Sequence, residues 1–314
     1  MVSSPRIGIA LAFACLLLLG AMPILSNARP AGLDGLTFAI WLTVWQLLCA
    51  LPLYLIERRG KRGQSVAADV LPAATGRTAA IAVATGAMFG LSTYMYVVAA
   101  EKAGPVSMVI ALQAYPLFAS LWEALFLGKR KSAAEVGCIL LMIAALVYLA
   151  TGGTFRIADI SWWSVFALGI PLLWSVAHIL LKGLLDTTPI TPNQVTVSRL
   201  VISGACLLLL HAAFGEAGAL LAGLTNLDFQ KAAFVMGLAY YLELILWFHA
   251  IRHIEVSVAS SVTVPAPAVT MLIAIVFLGE GVQSYQVLAM AVVVLSLYGM
   301  LYAGLRRRRH LPVA

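Results

Sequence analysis

Three ionisable side chains stand inside long apolar stretches: Glu243 in Leu242-Glu243-Leu244-Ile245, Arg199 in Val195-Thr196-Val197-Ser198-Arg199-Leu200, and His178 in Val176-Ala177-His178-Ile179. Each could do chemistry that its neighbours cannot. A carboxylate at Glu243 could bind a cationic group or exchange a proton, and Trp247, at i+4 on a helix, would share its face. Tyr240 and Tyr241 add hydroxyl and aromatic surface close by. The competing reading is a fixed ion pair with Arg199, whose long side chain could reach the same depth; such a pair can itself act as a gate. His178 has the side chain whose unperturbed charge changes near neutrality, which suits proton relay. Its place four residues before Lys182 equally suits a polar group at the rim of an apolar run. Glu123, six residues before Lys129, reads as a carboxylate reaching an interface or a basic partner. Gln113, Tyr94, Trp174, Gln46 and Tyr96 are uncharged candidates for lining a polar path, with packing or interfacial anchoring as the alternative for the aromatics.

These residues do not form a catalytic set. The sequence holds no GxxxxGK[ST] phosphate loop, no HExxH and no nucleophile elbow. Cys15, Cys49, Cys138 and Cys206 fall within apolar runs without CxxC spacing and read as small packing residues. No cofactor, no metal site and no ATP-driven step by this chain alone is expected, which leaves a solute gradient or coupled protons as the energy source.

The elements that must position the candidates follow from composition. Of 314 residues 62% are hydrophobic and 11% charged, against about 25% charged in soluble domains. Buried in water, nearly every helix of such a chain would have to hide all its faces. A bilayer removes that demand. Spanning it takes roughly 20 apolar residues, and ten such runs occur: 7–25, 35–56, 78–100, 104–127, 133–151, 162–183, 194–213, 230–251, 254–278 and 283–304. The first run, following Arg6 and ending near Ser26-Asn27-Ala28, also has the look of a leader peptide. The expected class is an all-α integral membrane protein of ten transmembrane helices.

The net charge of +7 comes from short clusters between runs and forms no stripe for nucleic acid. Cytoplasmic loops carry the excess of Lys and Arg. With the N-terminus inside, inner segments hold 15 basic residues (Arg6, Arg58, Arg59, Lys61, Arg62, Arg77, Lys129, Arg130, Lys131, Lys182, Arg252 and Arg306 to Arg309) and outer ones four (Arg29, Lys102, Arg156 and Lys231). That asymmetry predicts an inner membrane protein with both termini cytoplasmic.

An ungapped internal repeat appears at an offset of 151: Gly86 with Gly237, Pro116 with Pro267, Phe126-Leu127-Gly128 with Phe277-Leu278-Gly279, and Gly153 with Gly304. Five runs per half is an odd number, so the second half would be inverted relative to the first. Inverted repeats supply two alternative closures around one site. Pro116 and Pro267 recur through the repeat and read as hinges, as does Pro171, which with Gly169 takes a place like that of Gly20 and Pro23 in the first half.

Ala111-Leu112-Gln113-Ala114-Tyr115-Pro116 through Phe126-Leu127-Gly128-Lys129, and Val264-Pro265-Ala266-Pro267 through Phe277-Leu278-Gly279-Glu280, resemble the EamA repeat of the drug/metabolite transporter superfamily. Arg199 is similar to an Arg often found near the start of that family's seventh helix. In the first half Gln46 takes that place, and Lys129 replaces the usual Glu of the turn. The resemblance covers essentially the whole chain and implies two EamA-like five-helix repeats, 1–153 and 154–314, the second ending in a short basic tail. It implies a carrier working by alternating access, often an exporter of amino acids or related metabolites. On that basis Glu243, Trp247, Tyr240, Tyr94, Gln113 and Trp174 are substrate-binding candidates, and Glu243, Arg199 and His178 are coupling or gating candidates. Partners would be a small-molecule solute, the lipid bilayer and protons. Efflux of cationic lipophilic drugs is the second reading, since an aromatic cavity with one carboxylate would suffice. A non-transporting membrane subunit or membrane-embedded enzyme is a third.

Overall fold

A computed structural model describes residues 5–30, 32–59, 76–127, 131–187, 191–254, 256–279 and 281–310. Lys61, Arg62, Lys129 and Arg130 lie outside the described residues, as do the side chains of Glu123, Lys182, Arg252 and Arg306 to Arg309. The described residues are helical without a strand. The order is α1 (Pro5–Asn27), α2 (Gly35–Arg59), α3 (Gly76–Lys102), α4 (Pro105–Leu112), α5 (Tyr115–Leu127), α6 (Ala133–Ala150), a 3₁₀ turn (Ile157–Asp159), α7 (Trp162–Thr187), α8 (Pro192–Phe214), α9 (Ala219–Thr225), α10 (Leu227–His253), α11 (Val256–Thr263), α12 (Ala266–Leu278) and α13 (Ser284–His310). Among the described residues, nine helical stretches are long and apolar enough to cross a membrane.

The run 254–278 is not one of the nine, and it is divided into α11 and α12. The run 104–127 is broken in the same way, between α4 and α5. Proline chemistry accounts for both breaks. Pro116 has no N–H for the carbonyl of Leu112, and Pro267 has none for that of Thr263, so each carbonyl loses its i+4 helical donor. At the first break the chain tightens, with Gln113 N–H donating to Ile110 O at 3.1 Å and Ala114 N–H to Ala111 O at 3.0 Å. Each proline then sits in the first turn of the following helix, where its missing N–H is tolerated.

The element bounds themselves recur at the offset of 151. α3 and α10, α4 and α11, and α5 and α12 begin and end at residues 151 apart, and α6 and α13 begin so. The starts of the last pair are set alike: Glu135 Oε2 accepts from Ser132 N–H at 2.7 Å, and Gln286 Oε1 accepts from Gln283 N–H at 2.9 Å.

The chain forms two compact units, each drawing helices from both halves of the sequence. The first comprises residues 1–27, 99–172 and 242–314. Its apolar core joins Ile110, Leu117 and Met142 to Met271, Val293 and Leu297. Thr270 Oγ1 donates to Gly20 O at 2.6 Å, and Cys138 Sγ lies 2.7 Å from where a Cβ on Gly299 would be. That cysteine fills space, as its place in an apolar run predicted.

The second unit comprises residues 28–98 and 173–241. Its helices approach through glycines. A Cβ on Gly90 of α3 would lie 2.9 Å from Ser203 O of α8, and Ser203 Oγ donates to Gly86 O at 2.7 Å. Small residues four apart let membrane helices pack this closely. Gly237 of α10, the repeat partner of Gly86, meets α2 instead: its Cβ would lie 2.7 Å from Leu42 O.

Candidate functional site

The second unit holds a connected cluster of aromatic and polar side chains inside its apolar helices. It starts from α3, where Phe89, Ser92 and Tyr96 share one face by their spacing of three and four. Phe89 and Tyr96 are 7% and 2% exposed, and Ser92 is fully buried. From α7, Trp174 donates its indole N–H to Ser92 Oγ at 2.9 Å. Its ring is also stacked at 6.4 Å on Tyr96, which meets Tyr240 of α10 edge-on at 5.5 Å. One turn further along α7, the His178 ring lies 5.3 Å from Phe89. Arg199 of α8 lays its guanidinium over the Phe89 ring, Cζ to centroid 4.4 Å.

Two of these interactions have a clear local origin. Trp174, Ala177, His178 and Leu181 fall on one stripe of α7, and Ala177 and Leu181 pack with Phe89 and Val195. Val195, one turn before Arg199, faces the same cluster. α8 is fixed at its start by a reciprocal cap, in which Thr191 Oγ1 accepts from Gln194 N–H and Gln194 Oε1 accepts from Thr191 N–H.

The structure therefore brings five predicted residues together: Tyr96, Trp174, Tyr240, His178 and Arg199. Tyr94 is in the same unit but on the far side of α3, roughly 150° around the helix from Ser92 and Tyr96. It is half-buried there. Glu243, Trp247 and Gln113 belong to the first unit. Glu243 is half-buried, and its carbonyl accepts from Cys15 Sγ at 3.4 Å. Trp247 packs with Ala12, Ala250 and Ala259 in a small apolar cluster. Gln113 caps α4 at the break and is half-buried. Pro116 and Pro267 stand at the two breaks, whereas Pro171 lies within the continuous α7. Among the described residues no group of three or more His, Cys, Asp or Glu side chains could hold a metal ion.

Sequence reasoning missed Phe89 and Ser92. Both look like ordinary occupants of an apolar run, and only their i, i+3 and i+7 relation to Tyr96 placed them on one face.

The long apolar helices, with proline breaks recurring through the repeat, define a multi-pass α-helical membrane protein. Residues 161–302 match the EamA-like transporter family. The family is one of membrane transporters of small solutes. No curated protein matches the chain. Among the solved structures, one crystal structure is 19% identical with a TM-score of 0.64, over 98% of this chain and 100% of its own. At that identity the likeness speaks for the fold.

Proposed function

We propose that the chain is a secondary transporter of the inner membrane, exporting amino acids or related metabolites by alternating access. Ten membrane passes are read in it, counting α4 with α5 and α11 with α12 as one pass each. They form two five-helix repeats, 1–153 and 154–314, with opposite orientation and both termini cytoplasmic.

The observation that carries this reading is the recurrence of helix breaks at a fixed offset, 112–115 and 263–266, each followed by a proline in the next turn. Irregular backbone at membrane depth is tolerated where it is enclosed by protein or lines a water-filled path, and paired discontinuous helices are the common substrate-site device of carriers. The glycine contacts support a two-fold relation between repeats. If α3 corresponds to α10 and α2 to α8, a two-fold operation turns the α3 contact with α8 into an α10 contact with α2, which is the exchange seen at Gly86 and Gly237.

The test is flux into and out of proteoliposomes with a panel of amino acids and lipophilic cations, with and without a pH gradient. Amino-acid counterflow saturating with concentration is the expected result. Movement of dyes alone would replace this reading with drug efflux, and no movement of any solute by folded protein would end the transporter reading. Glu243→Gln in the same assay addresses coupling: loss of the response to the pH gradient with retained exchange is expected of a proton-exchanging carboxylate.

A further inference from the structure

We propose that the loop between α6 and α7, residues 151–161, forms with Trp162 a preformed anchor in the interface of the bilayer. Its apolar side chains enter the acyl boundary, and Arg156 meets anionic lipid headgroups. The inference rests on the membrane-spanning character of the chain and holds whatever the solute.

The apolar side chains are the starting point. Ile157 is 85% exposed and Trp162 75%, and Phe155 and Trp163 are exposed as well. Single exposed apolar residues are ordinary on any protein, but these four fall within residues 155–163, and water would leave all of them uncovered. The place of the loop supplies the cover. It joins the stretches Ala133–Ala150 and Trp162–Leu181, both long and apolar enough to cross a membrane. Ser161 N–H donates to Ala150 O at 2.7 Å, which closes the loop on itself at the ends of the two helices. A loop closed in this way stays at the level where the spans end. There the bilayer passes from acyl chain to headgroup, and tryptophan concentrates at that level in membrane proteins.

The loop is ordered before it meets lipid. Among the described residues, Phe155 is the one non-glycine in the left-handed region, with φ 59°, a conformation that crowds an L side chain against its own backbone. Neighbouring groups impose it. Phe155 N–H donates to Thr151 Oγ1 at 3.0 Å and Arg156 N–H to Thr154 Oγ1 at 3.1 Å, while the Phe155 ring lies 5.0 Å from that of Tyr148. Gly153, at φ 89°, packs so closely on α13 that a Cβ there would lie 2.8 Å from Tyr285 Cβ. Strain of this kind persists where the surrounding structure over-determines it. In water the chain would bear both the strain and an exposed ring; at the acyl boundary the second cost disappears. Order present in advance also lowers the entropy lost on insertion.

The charges fit the same surface. Within residues 151–161 the acidic residue, Asp159, accepts from Thr154 Oγ1 at 2.7 Å, and the basic one, Arg156, is exposed. A guanidinium at this level pairs with lipid phosphates and is drawn to anionic headgroups.

The experiment attaches a nitroxide at Ile157→Cys in the full chain, reconstituted at one copy per lipid nanodisc so that no second copy can cover the loop. Leu140→Cys, at an exposed position midway along α6, marks the acyl region, and free spin label in buffer marks the aqueous limit. The parent chain, carried through the same labelling, gives the background of its natural cysteines. At Ile157, collision with oxygen, which concentrates in lipid, is expected to exceed collision with a water-soluble nickel chelate, by less than at Leu140. In discs containing phosphatidylglycerol, Arg156→Glu should raise the nickel collision frequency at Ile157 about twofold or more, and in phosphatidylcholine alone much less.

Nickel collision at Ile157 equal to that of free label would place the loop in water and overturn the proposal. Low collision with both reagents would show that protein covers the loop, and would overturn it as well. An equal effect of Arg156→Glu in the two lipids would overturn the contact with anionic headgroups. None of these readings needs a solute, so failure of the transporter reading and failure of the anchor are told apart.

Discussion

At the residue scale, the contact between Trp174 and Ser92 is the most informative in the second unit. It joins α7 to α3 by a hydrogen bond of 2.9 Å to a fully buried hydroxyl, beside the stacked pair of Trp174 and Tyr96. Trp174→Phe keeps most of the ring and loses the donor. It should lower stability by about 1 kcal/mol, read as a shift in equilibrium unfolding. In a double-mutant cycle with Ser92→Ala the coupling should be about 0.6 kcal/mol, the average for such pairs in membranes. A coupling of zero would mean that the hydroxyl and the indole do not interact in solution. The sequence already marked Trp174 as a polar-capable aromatic in an apolar run. It could not name Ser92, because partners 82 residues apart depend on how α3 and α7 pack.

At the scale of elements, two glycines on the same helix hold α3 against α8. A Cβ on Gly90 would meet the backbone of Ser203, its carbonyl oxygen at 2.9 Å and Cα at 3.1 Å, and a Cβ on Gly86 would lie 2.6 Å from both Cβ and Cγ2 of Ile202. Neither backbone nor the root of a β-branched side chain can move aside. Gly90→Ala and Gly86→Ala should therefore each cost about 1–3 kcal/mol, with unfolding equilibria of the two variants as the measurement. A negligible cost at either position would indicate that the helices separate to accept the methyl group.

The helix breaks give the opposite kind of substitution. Pro116→Ala and Pro267→Ala restore a donor to the carbonyls of Leu112 and Thr263. Each variant should be at least as stable as the parent yet slower in counterflow, because the break is then free to close. A stable variant with undiminished counterflow would show the break to be dispensable. Much of this scale was legible in the sequence. Most of the apolar runs begin and end within four residues of a helix or a broken helix pair, since hydrophobic length is a strong signal, and the last helix extends six residues past its run, into the basic tail. Missed altogether was α9, whose seven residues are too short to stand out as an apolar run. The interruptions at Gln113-Ala114 and Val264-Pro265 were visible only as prolines, for a proline permits a break and packing decides it.

At the scale of the whole molecule, sequence halves and compact units do not coincide: residues 1–27 join 242–314 in one unit, while residues 28–98 join 173–241 in the other. Interleaving of this kind is what a two-fold relation between repeats would produce, since α2 and its counterpart α8 then share the second unit, and α6 and its counterpart α13 share the first. It leaves the sense of that relation to be tested against the membrane. If the second repeat is inverted, residues 151 apart must face opposite sides of the bilayer. Two pairs sit at suitable helix ends: Lys102 with His253, and Ser132 with Gln283.

Single cysteines at these four positions, on a background in which Cys15, Cys49, Cys138 and Cys206 are replaced, can be probed in intact cells with a membrane-impermeant maleimide. On the proposed orientation, with both termini cytoplasmic, Lys102 and Gln283 would lie outside and Ser132 and His253 in the cytoplasm. Lys102→Cys and Gln283→Cys should therefore react in intact cells, and Ser132→Cys and His253→Cys only after permeabilisation. The reverse assignment of all four would preserve the inversion and overturn the orientation. Labelling of both members of a pair from the same side would overturn the inversion itself, and with it the argument that two oppositely facing repeats provide the two closures of the transport cycle.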